Sequence, residues 1–390
     1  MSTSTGIGPE GGVMSKTELR TIAAVAKDTG LPWELVELTV DQPKAHEVLI
    51  RYVAAGLCHS DEHLRSEGFW GGTARYPMVG GHEGAGVIEA VGPGVTSVEV
   101  GDHVVCSFLP ACGHCRWCST GRQNLCDLGA NLMQGSQVDG TFRFHDAEGV
   151  GYGGLCMLGT FSQYGVISEY SVVRVDKDFD LEVAVLVGCG VPTGWGSAVY
   201  NAAVSAGEVV VVYGIGGVGI NAVQGAAYAG AKYVIAVDPI EFKRETAEKL
   251  GATHSVSNAG EANDLILSLT NGVGADKAIV TAGVVDSSVI EAAFNAIGKG
   301  GIVTVTGLAP VNDVNINLSS AALTLYEKRI QGSLFGSSNP FYDIPRLLDL
   351  YKSKQLKLDE LVTTKYKLED INQACKDLED GKNIRGVIVF

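Results

Sequence analysis

The 390-residue sequence has few basic residues: 29 Lys and Arg stand against 44 Asp and Glu, for a formal net charge of -15 at pH 7. Because an acidic field repels polyphosphates, we expect no nucleic acid among the partners. No apolar run reaches the length of a membrane helix, so no membrane association is expected. Residues 1–13 lack the apolar core of a secretion signal and are predicted to be a disordered extension of a cytoplasmic protein.

Proline is also scarce, with 11 residues, whereas glycine is abundant, with 51. Abundant glycine favours tight turns and close approach of the backbone to a ligand. The chain is 46% hydrophobic and 19% charged, which argues against a disordered protein. Its length predicts two domains.

The cysteines do not suggest a disulfide framework, because their number, nine, is odd and a reducing compartment is expected. Four of them are closely spaced: Cys112, Cys115, Cys118 and Cys126. Four thiolates at this spacing can complete a closed tetrahedral shell, so we predict a structural zinc in a lobe of about residues 110–128. An iron–sulfur cluster is disfavoured, because the spacing differs from that of ferredoxins. His114 is expected to be exposed.

The hydrophobic pattern before residue 190 predicts a compact, barrel-like β domain. Short strands separated by glycine turns are predicted at 48–54, 86–91 and 103–108. A glycine-rich stretch from Leu125 to about Gly165 has weak periodicity and is predicted to run as surface loops.

After residue 190, apolar strands alternate with helix-like segments. Val209–Tyr213 is a continuous apolar run, and further strands are predicted at 233–237, 277–281, 301–306 and 330–335. This alternation predicts an α/β fold with a doubly wound parallel (Rossmann) sheet. The tail, 340–390, ends in a predicted strand at 386–390 and is expected to fold back on the first domain.

A glycine pattern, G-x-G-x-x-G, follows the first apolar strand directly and is formed by Gly214, Gly216, Gly217, Val218 and Gly219. It opens a predicted helix at 220–229, and Asp238 ends the next strand. Such a turn lets the backbone approach a pyrophosphate at a helix N-terminus; the alternative is a glycine turn without a ligand. Asp238 would bind the adenosine ribose, which favours NAD over NADP. Lys243 either reaches the same ribose or is a solvated helix-face lysine.

Three further residues have the chemistry of metal ligands: Cys58, His82 and Cys189. Taken singly, each is more often a buried cysteine or a core histidine than a metal ligand. The three are also too far apart in the sequence for their spacing to indicate a shared site. Together with their neighbours, however, the chain resembles the zinc-containing medium-chain alcohol dehydrogenases over nearly all of its length after residue 14. The resemblance rests on the four-cysteine lobe, the glycine pattern and the segments 56–63, 81–86, 159–164, 188–193 and 383–386.

This resemblance implies a Rossmann domain, residues 191–334, inserted into a GroES-like β-barrel catalytic domain of residues 14–190 and 335–390. It implies two zinc ions per subunit, with the catalytic ion held by Cys58, His82 and Cys189 beside an open position, which suits catalytic zinc. It also implies further roles: a proton relay by Ser60 and His63, Glu83 behind the metal, Asp61 orienting His82, cofactor contacts by His59, Thr193 and Arg385, and a substrate pocket of Phe69, Trp70 and Phe108. For these aromatic residues, ordinary core is the competing interpretation.

The implied reaction is oxidation of primary aromatic or aliphatic alcohols to aldehydes, with hydride transfer to NAD. Within the family, residues 124–130 and 381–388 are most similar to actinobacterial enzymes that hold NAD tightly and use N,N-dimethyl-4-nitrosoaniline as acceptor. If NAD is held permanently, a separate electron acceptor is expected. The family resemblance also predicts a homo-oligomer through the Rossmann domain, with residues 330–336 as a candidate edge.

Two other functions compete with this one. A thiol-dependent formaldehyde dehydrogenase, acting on a glutathione or mycothiol adduct, has the same fold. The glutathione enzymes place an arginine just after the fourth cysteine of the lobe, whereas Ala130 stands near that place here. The second competitor is a non-catalytic binding protein on this fold, which is disfavoured because all three candidate ligands are present.

Overall fold

The structure, a computed structural model, describes residues 19–390, so the predicted disordered extension at 1–13 lies outside the described residues. In chain order the strands are β1 (Leu19–Ala26), β2 (Glu34–Val40), β3 (Glu47–Gly56), β4 (Met78–Val79), β5 (Glu83–Val91), β6 (His103–Cys106), β7 (Phe144–His145), β8 (Gly151–Gly154), β9 (Tyr164–Ser168), β10 (Val172–Val175), β11 (Val209–Tyr213), β12 (Tyr233–Val237), β13 (His254–Val256), β14 (Ala275–Val280), β15 (Ile297–Val305), β16 (Arg329–Gly332), β17 (Val362–Tyr366) and β18 (Arg385–Val389).

The α-helices are α1 (His59–Arg65), α2 (Arg116–Ser119), α3 (Leu181–Ala184), α4 (Gly190–Gly196), α5 (Gly219–Tyr228), α6 (Glu241–Lys249), α7 (Ala259–Leu269), α8 (Ser287–Ala296), α9 (Ser320–Leu325), α10 (Pro340–Lys352) and α11 (Ile371–Glu379). A π-helical turn, Ser197–Asn201, continues α4. No single helix within residues 19–390 has the length and apolar composition of a membrane span; one pair bent by 50°, Leu181–Gly188 with Gly190–Asn201, passes that test only in combination.

The first part of the chain forms a closed barrel, β1-β2-β7-β8-β4, beside a mainly antiparallel sheet in the order β10-β6-β5-β3-β18-β17, with β9 also on β3. The C-terminal strand β18 pairs antiparallel with β3, so that Val387 lies opposite Gly56. The tail therefore folds back on the first sheet, as predicted. The predicted surface loops at 125–165 are partly wrong, because β7 and β8 form within them and close the barrel.

The second part forms a six-stranded sheet in the order β13-β12-β11-β14-β15-β16, in which every pairing is parallel. Its central strand β11, Val-Val-Val-Val-Tyr, is buried at all five positions because helices cover both faces. This strand order is that of the doubly wound dinucleotide-binding fold, so the predicted fold class is confirmed.

The predicted strands of this sheet match the observed ones closely, apart from the last. The prediction at 330–335 is wrong at its end, because β16 stops at Gly332 and Phe335 lies in a turn with a φ of 56°. A left-handed backbone cannot continue a strand, and this turn directs residues 333–337 toward the cleft described below.

Candidate functional site

Two groups of metal-ligating side chains occur in the described part of the chain. The first brings together the three predicted catalytic ligands, Cys58, His82 and Cys189, and adds Glu83. Each of the four members lies where an element begins: Cys58 is the N-cap of α1, His82 precedes β5 and Glu83 opens it, and Cys189 precedes α4. Their ligand atoms all lie within 4.8 Å of one another, which suits bonds of about 2.0–2.3 Å to a central zinc ion.

Asp61 orients two of these ligands at once. One carboxylate oxygen lies 3.0 Å from Nδ1 of His82, and the other accepts the backbone N–H of Cys58 at 3.0 Å. Burial raises the pKa of Asp61 and opposes its charge, whereas the contact with His82 favours the charged form. With Nδ1 donating to the carboxylate, Nε2 of His82 is left as the lone-pair ligand.

The thiols of Cys58 and Cys189 are close enough to share a proton. A hydrogen bond from Cys189 lowers the pKa of Cys58, and the same contact raises the pKa of Cys189. Cys189 is buried and Cys58 is partly buried, and two thiolates held at this distance need a cation between them. The donor set, two sulfurs and one imidazole, is therefore the chemistry that zinc prefers.

Glu83 and Arg385 form an ion pair beside this cluster. Burial raises the pKa of Glu83 to about 7, although the charge of Arg385 lowers it. One oxygen, Oε2, bonds to Arg385, and Oε1 is buried without a partner among residues 19–390. Nε of Arg385 is also buried without a partner in the described part of the chain, and it lies next to the glycine turn at Gly217. Arg385 thus lies between the metal cluster and the glycine turn, and its Nε–H is available to donate a hydrogen bond to a ligand.

The second group is the predicted lobe of four cysteines. The sulfurs of Cys112 and Cys118 are 4.0 Å apart, and those of Cys115 and Cys126 are 3.9 Å apart. A tetrahedral zinc with four Zn–S bonds of about 2.3 Å requires sulfurs about 3.8 Å apart, so the lobe fits a closed site. His114 is exposed, as predicted, and takes no part in the cluster.

A single large cleft, with a volume of about 1110 Å³, connects the metal cluster to the glycine turn. Most of the predicted site residues line it: Cys58, His59, Ser60, His63, Trp70, His82, Phe108, Cys189, Thr193, Gly214, Gly216, Gly217, Val218, Asp238, Lys243 and Arg385. Gly214 has a φ of 90°, and a Cβ on Gly219 would lie 1.8 Å from the oxygen of Gly214. The turn therefore has the tight backbone that lets main-chain N–H groups approach a pyrophosphate closely.

One predicted substrate-pocket residue lies elsewhere than expected. Phe69 does not line the cleft; its ring stacks on His63 at 3.8 Å between centroids. His63 is buried under it, and neither ring nitrogen has a partner within residues 19–390. Because burial removes solvation of the charged ring, the pKa of His63 falls to about 4. His63 is therefore a neutral imidazole with unused hydrogen-bonding capacity facing the cleft.

Several lining residues escaped the sequence analysis. Phe335 packs edge-on against Phe108 at 5.1 Å, and Phe108 packs against His82 at 5.8 Å. Further apolar side chains line the cleft, namely Leu125, Leu132, Met133, Leu155, Cys156 and Leu334, and Arg122 lines it as well. No local signal distinguishes such residues from core, because only the tertiary packing decides which apolar side chains face a cavity.

Two long segments of the chain match known protein families. Residues 44–177 match the family model "Alcohol dehydrogenase GroES-like domain", and residues 217–353 match "Zinc-binding dehydrogenase". An NDMA-dependent alcohol dehydrogenase of Amycolatopsis methanolica is 58% identical over 371 residues, covering 95% of this chain and 99% of that protein.

More distant relatives share the same architecture. The crystal structure of benzyl alcohol dehydrogenase from Acinetobacter calcoaceticus has a TM-score of 0.86 at 33% identity, covering 95% of this chain and 99% of that one. An S-(hydroxymethyl)glutathione dehydrogenase of Paracoccus denitrificans is 35% identical over 382 residues, covering 95% of this chain and all of that protein (100%). The matches at both domains and along nearly the whole chain show that it belongs to the zinc-binding, medium-chain alcohol dehydrogenase family.

Proposed function

We propose that this protein oxidises primary aromatic or aliphatic alcohols to aldehydes with a catalytic zinc and a tightly held NAD, while a second zinc supports the four-cysteine lobe. The observation that carries the proposal is the convergence of Cys58, His82 and Cys189 at the inner end of an apolar channel that opens onto the glycine turn. A zinc ion at these ligands would supply the Lewis acidity that lowers the pKa of an alcohol hydroxyl.

The chain's own residues prepare that centre. Asp61 holds the His82 ring in one tautomer and fixes the backbone at Cys58. Glu83 offers an unpartnered oxygen within the same group of ligand atoms, so it suits a role as a transient or tuning ligand. We expect this arrangement to keep three strong ligands and one replaceable position.

Ser60 and His63 are the residues that we assign to proton transfer. The Ser60 hydroxyl lies 3.8 Å from the sulfur of Cys58, and a hydroxyl can accept one proton while it donates another. His63 is neutral and unpartnered, so it can accept a hydrogen bond. The two residues together provide a path for the alcohol proton away from the enclosed centre.

NAD would occupy the rest of the cleft. Gly214, Gly216, Gly217, Val218 and Gly219 would hold the pyrophosphate at the start of α5. The unpartnered Nε of Arg385, together with His59, suits the same phosphates. Asp238 and Lys243 would bind the adenosine ribose, and Thr193 would pack beside the nicotinamide. The carboxylate of Asp238 already accepts the backbone N–H groups of Ile215 and Ile240 at 2.8 and 2.9 Å, which aims it into the cleft.

We infer that NAD remains bound and is reoxidised in place by a second substrate, for which the nitroso compound is the artificial substitute. The relative from Amycolatopsis methanolica is named for its dependence on that compound, which supports the inference. The test is to measure zinc and nucleotide on one preparation, and then an alcohol panel with free NAD and with the nitroso acceptor. Protein free of nucleotide that is fully active with added NAD alone would contradict a permanently held cofactor.

The thiol-dependent formaldehyde dehydrogenase is the function to exclude experimentally. Formaldehyde oxidation should be no faster with glutathione, since Ala130 has no charge with which to bind its carboxylate. Mycothiol is assayed in parallel, because the absence of this arginine argues against glutathione only. A rate that depends strictly on either thiol would replace the present proposal.

We also propose a homo-oligomer formed through the edge strand β16 in a reducing, cytoplasmic compartment. Large apolar side chains in the chain segment that precedes this strand are exposed, among them Val314 at 82% and Leu325 at 76%. Such a patch is typical of a subunit interface. We also propose domain boundaries at about 190 and 335, and the arrangement of the strands in separate sheets supports this division. Sedimentation of the wild type and of a Leu325→Lys variant tests the interface.

A further inference from the structure

Residues 335–337 form a turn with an uncommon backbone. Phe335, Gly336 and Ser337 have φ angles of 56°, 61° and 56°, so three consecutive residues lie in the left-handed region. Glycine adopts this region readily, whereas the side chains of Phe335 and Ser337 make it costly. Such a backbone persists only where the surrounding structure holds it, and it is commonest at functional sites.

This turn contributes to the wall of the cleft. Leu334, Phe335 and Ser337 line the cleft, and the ring of Phe335 packs edge-on against Phe108 at 5.1 Å between centroids. Phe108 in turn packs against the ring of His82 at 5.8 Å. The backbone of the turn therefore decides where the Phe335 ring lies, one aromatic ring farther from the metal cluster than Phe108.

The side chain of Asn201 joins the two ends of this turn. Its Oδ1 accepts a hydrogen bond from the hydroxyl of Ser333 at 2.8 Å, and its Nδ2 donates to the hydroxyl oxygen of Ser337 at 2.9 Å. Asn201 is the last residue of the π-helical turn that continues α4, and its carbonyl accepts a hydrogen bond from the side chain of Gln331. One amide group on a fixed backbone thus bridges the segment 333–337.

Other contacts hold the start and the middle of the turn. The carbonyl of Leu334 accepts the side-chain amide of Asn124 at 3.0 Å, and Gly336 lies so close to α4 that a Cβ there would be 2.4 Å from the carbonyl oxygen of Pro192. Among residues 19–390, the hydroxyl of Ser337 bonds to Asn201 alone. The costly backbone at the end of the turn therefore depends on Asn201.

We propose that Asn201 is a positioning residue that keeps Phe335 beside Phe108 and so restricts the enzyme to alcohols that are narrow at the level of this ring. Unbranched alkanols and unsubstituted benzylic alcohols belong to this class. The inference rests on the proposed alcohol oxidation and specifies its substrates. Without the bridge, Ser337 and Phe335 would return to ordinary backbone angles, and the Phe335 ring would move. The cleft would then admit wider alcohols and contact narrow ones less closely.

The experiment compares benzyl alcohol with 3,5-dimethylbenzyl alcohol, which has the same reacting carbon and a wider ring, with the nitroso acceptor as oxidant. We expect the wild type to favour benzyl alcohol. Asn201→Leu keeps the approximate size of the side chain and removes both side-chain bonds. In this variant the ratio of the two kcat/KM values should shift about tenfold toward the wider alcohol, since small groups in an apolar pocket change selectivity by about that factor. The shift should occur mainly in KM.

Hydrogen exchange of the peptide 333–338 follows the turn without any substrate. The backbone N–H groups of Ser337 and Ser338 donate to carbonyls within the turn, both at 3.0 Å. Their exchange should become about fivefold faster in Asn201→Leu, the factor that corresponds to loss of one ordinary hydrogen bond. Adding Ser337→Gly to Asn201→Leu should restore slow exchange and wild-type selectivity, because glycine adopts the left-handed φ without the bridge.

Tyr200→Phe is the matched control. It removes hydrogen bonds to Asp343 and Arg346 from the same π-helical turn, at a residue that does not line the cleft. Equal wild-type rates with both alcohols, or unchanged selectivity in Asn201→Leu, would overturn the role of Asn201. An equal shift in Tyr200→Phe, or no recovery in the double variant, would indicate general loosening of α4 and overturn it as well. A wild type that oxidises no alcohol would contradict the proposed function, whereas the exchange rates would still decide whether Asn201 holds the turn.

Discussion

Arg385 and Glu83 lie 302 residues apart in the sequence, yet they form their ion pair directly over the backbone of Gly56. Gly56 ends β3, which pairs with β5 at Glu83 and with β18 at Val387, so three strands meet at this point. A Cβ on Gly56 would lie 2.1 Å from Oε2 of Glu83 and 3.0 Å from Nη2 of Arg385. The buried pair beside the metal ligands therefore depends on the absence of one side chain.

Substitution of Gly56 by alanine should separate this pair. One buried charge would lose its partner, so we expect the free energy of unfolding to fall by about 3–5 kcal/mol. We also expect the protein to retain less metal, since Glu83 belongs to the ligand group. Urea unfolding and metal analysis check both effects. Gly129→Ala is the control, because its Cβ would meet Leu132 at an ordinary 3.5 Å; equal stability of the two variants would contradict the packing argument.

Asp61→Asn should weaken the catalytic metal site without unfolding the protein. The amide keeps the size of the side chain and loses the charge that orients His82 and balances its ring. Loss of such a partner costs about 10- to 100-fold in metal affinity. Chelator competition should show this loss for one zinc per subunit, while the zinc of the four-cysteine lobe is retained. Parallel loss of both ions would indicate general unfolding instead.

Gly381→Ala should shorten the lifetime of bound NAD. Five residues of the segment 378–385 line the cleft, as do Ile240 and Lys243, and a Cβ on Gly381 would lie 2.3 Å from Cδ1 of Ile240. Ion pairs from Lys382 to Asp377 and Asp380, at 2.9 and 3.0 Å, hold this segment in place. The added methyl would displace the end of the Ile240 side chain or the segment itself, and either change alters the part of the cleft that we assign to the adenosine.

The measurement is the fraction of nucleotide that remains after gel filtration and its rate of release. Gly381 has a φ of 67°, so alanine there also strains the backbone by about 1 kcal/mol. Gly300→Ala controls for that strain, because Gly300 has a φ of 72° and open space around its Cβ position. If both variants release NAD at the wild-type rate, residues 378–385 do not retain the cofactor.

Stability of the nucleotide-free protein should decrease as the pH falls from about 6.5 toward 4, partly through His63. Burial against Phe69 lowers the pKa of His63 to about 4, below the ordinary value of 6.5. Between these values the unfolded chain binds a proton that the folded chain does not, so acid favours unfolding. His63→Gln should make the decline shallower, as measured by urea unfolding at pH 7, 6 and 5. An unchanged slope would show that His63 titrates normally.

The fold could be predicted from the sequence because its signals are local. The Val209–Tyr213 run, the glycine pattern behind it and Asp238 each occupy a few consecutive residues, and strand, turn and acid follow in the order that a βαβ unit requires. The four-cysteine lobe is local in the same sense, since 15 residues from Cys112 to Cys126 contain the whole ligand shell. The loops predicted at 125–165 fail because the short strands β7 and β8 are stabilised by pairing with distant partners.

The catalytic cluster and its channel were decided by tertiary structure. Cys58, His82 and Cys189 each look ordinary in sequence, and the chain must fold before their ligand atoms come within 4.8 Å of one another. Which apolar residues form the channel, and that Phe69 covers His63, depend on packing between elements far apart in the chain. Local sequence specifies backbone conformation, whereas a cavity is defined by what several remote segments leave unfilled, and that only the folded chain determines.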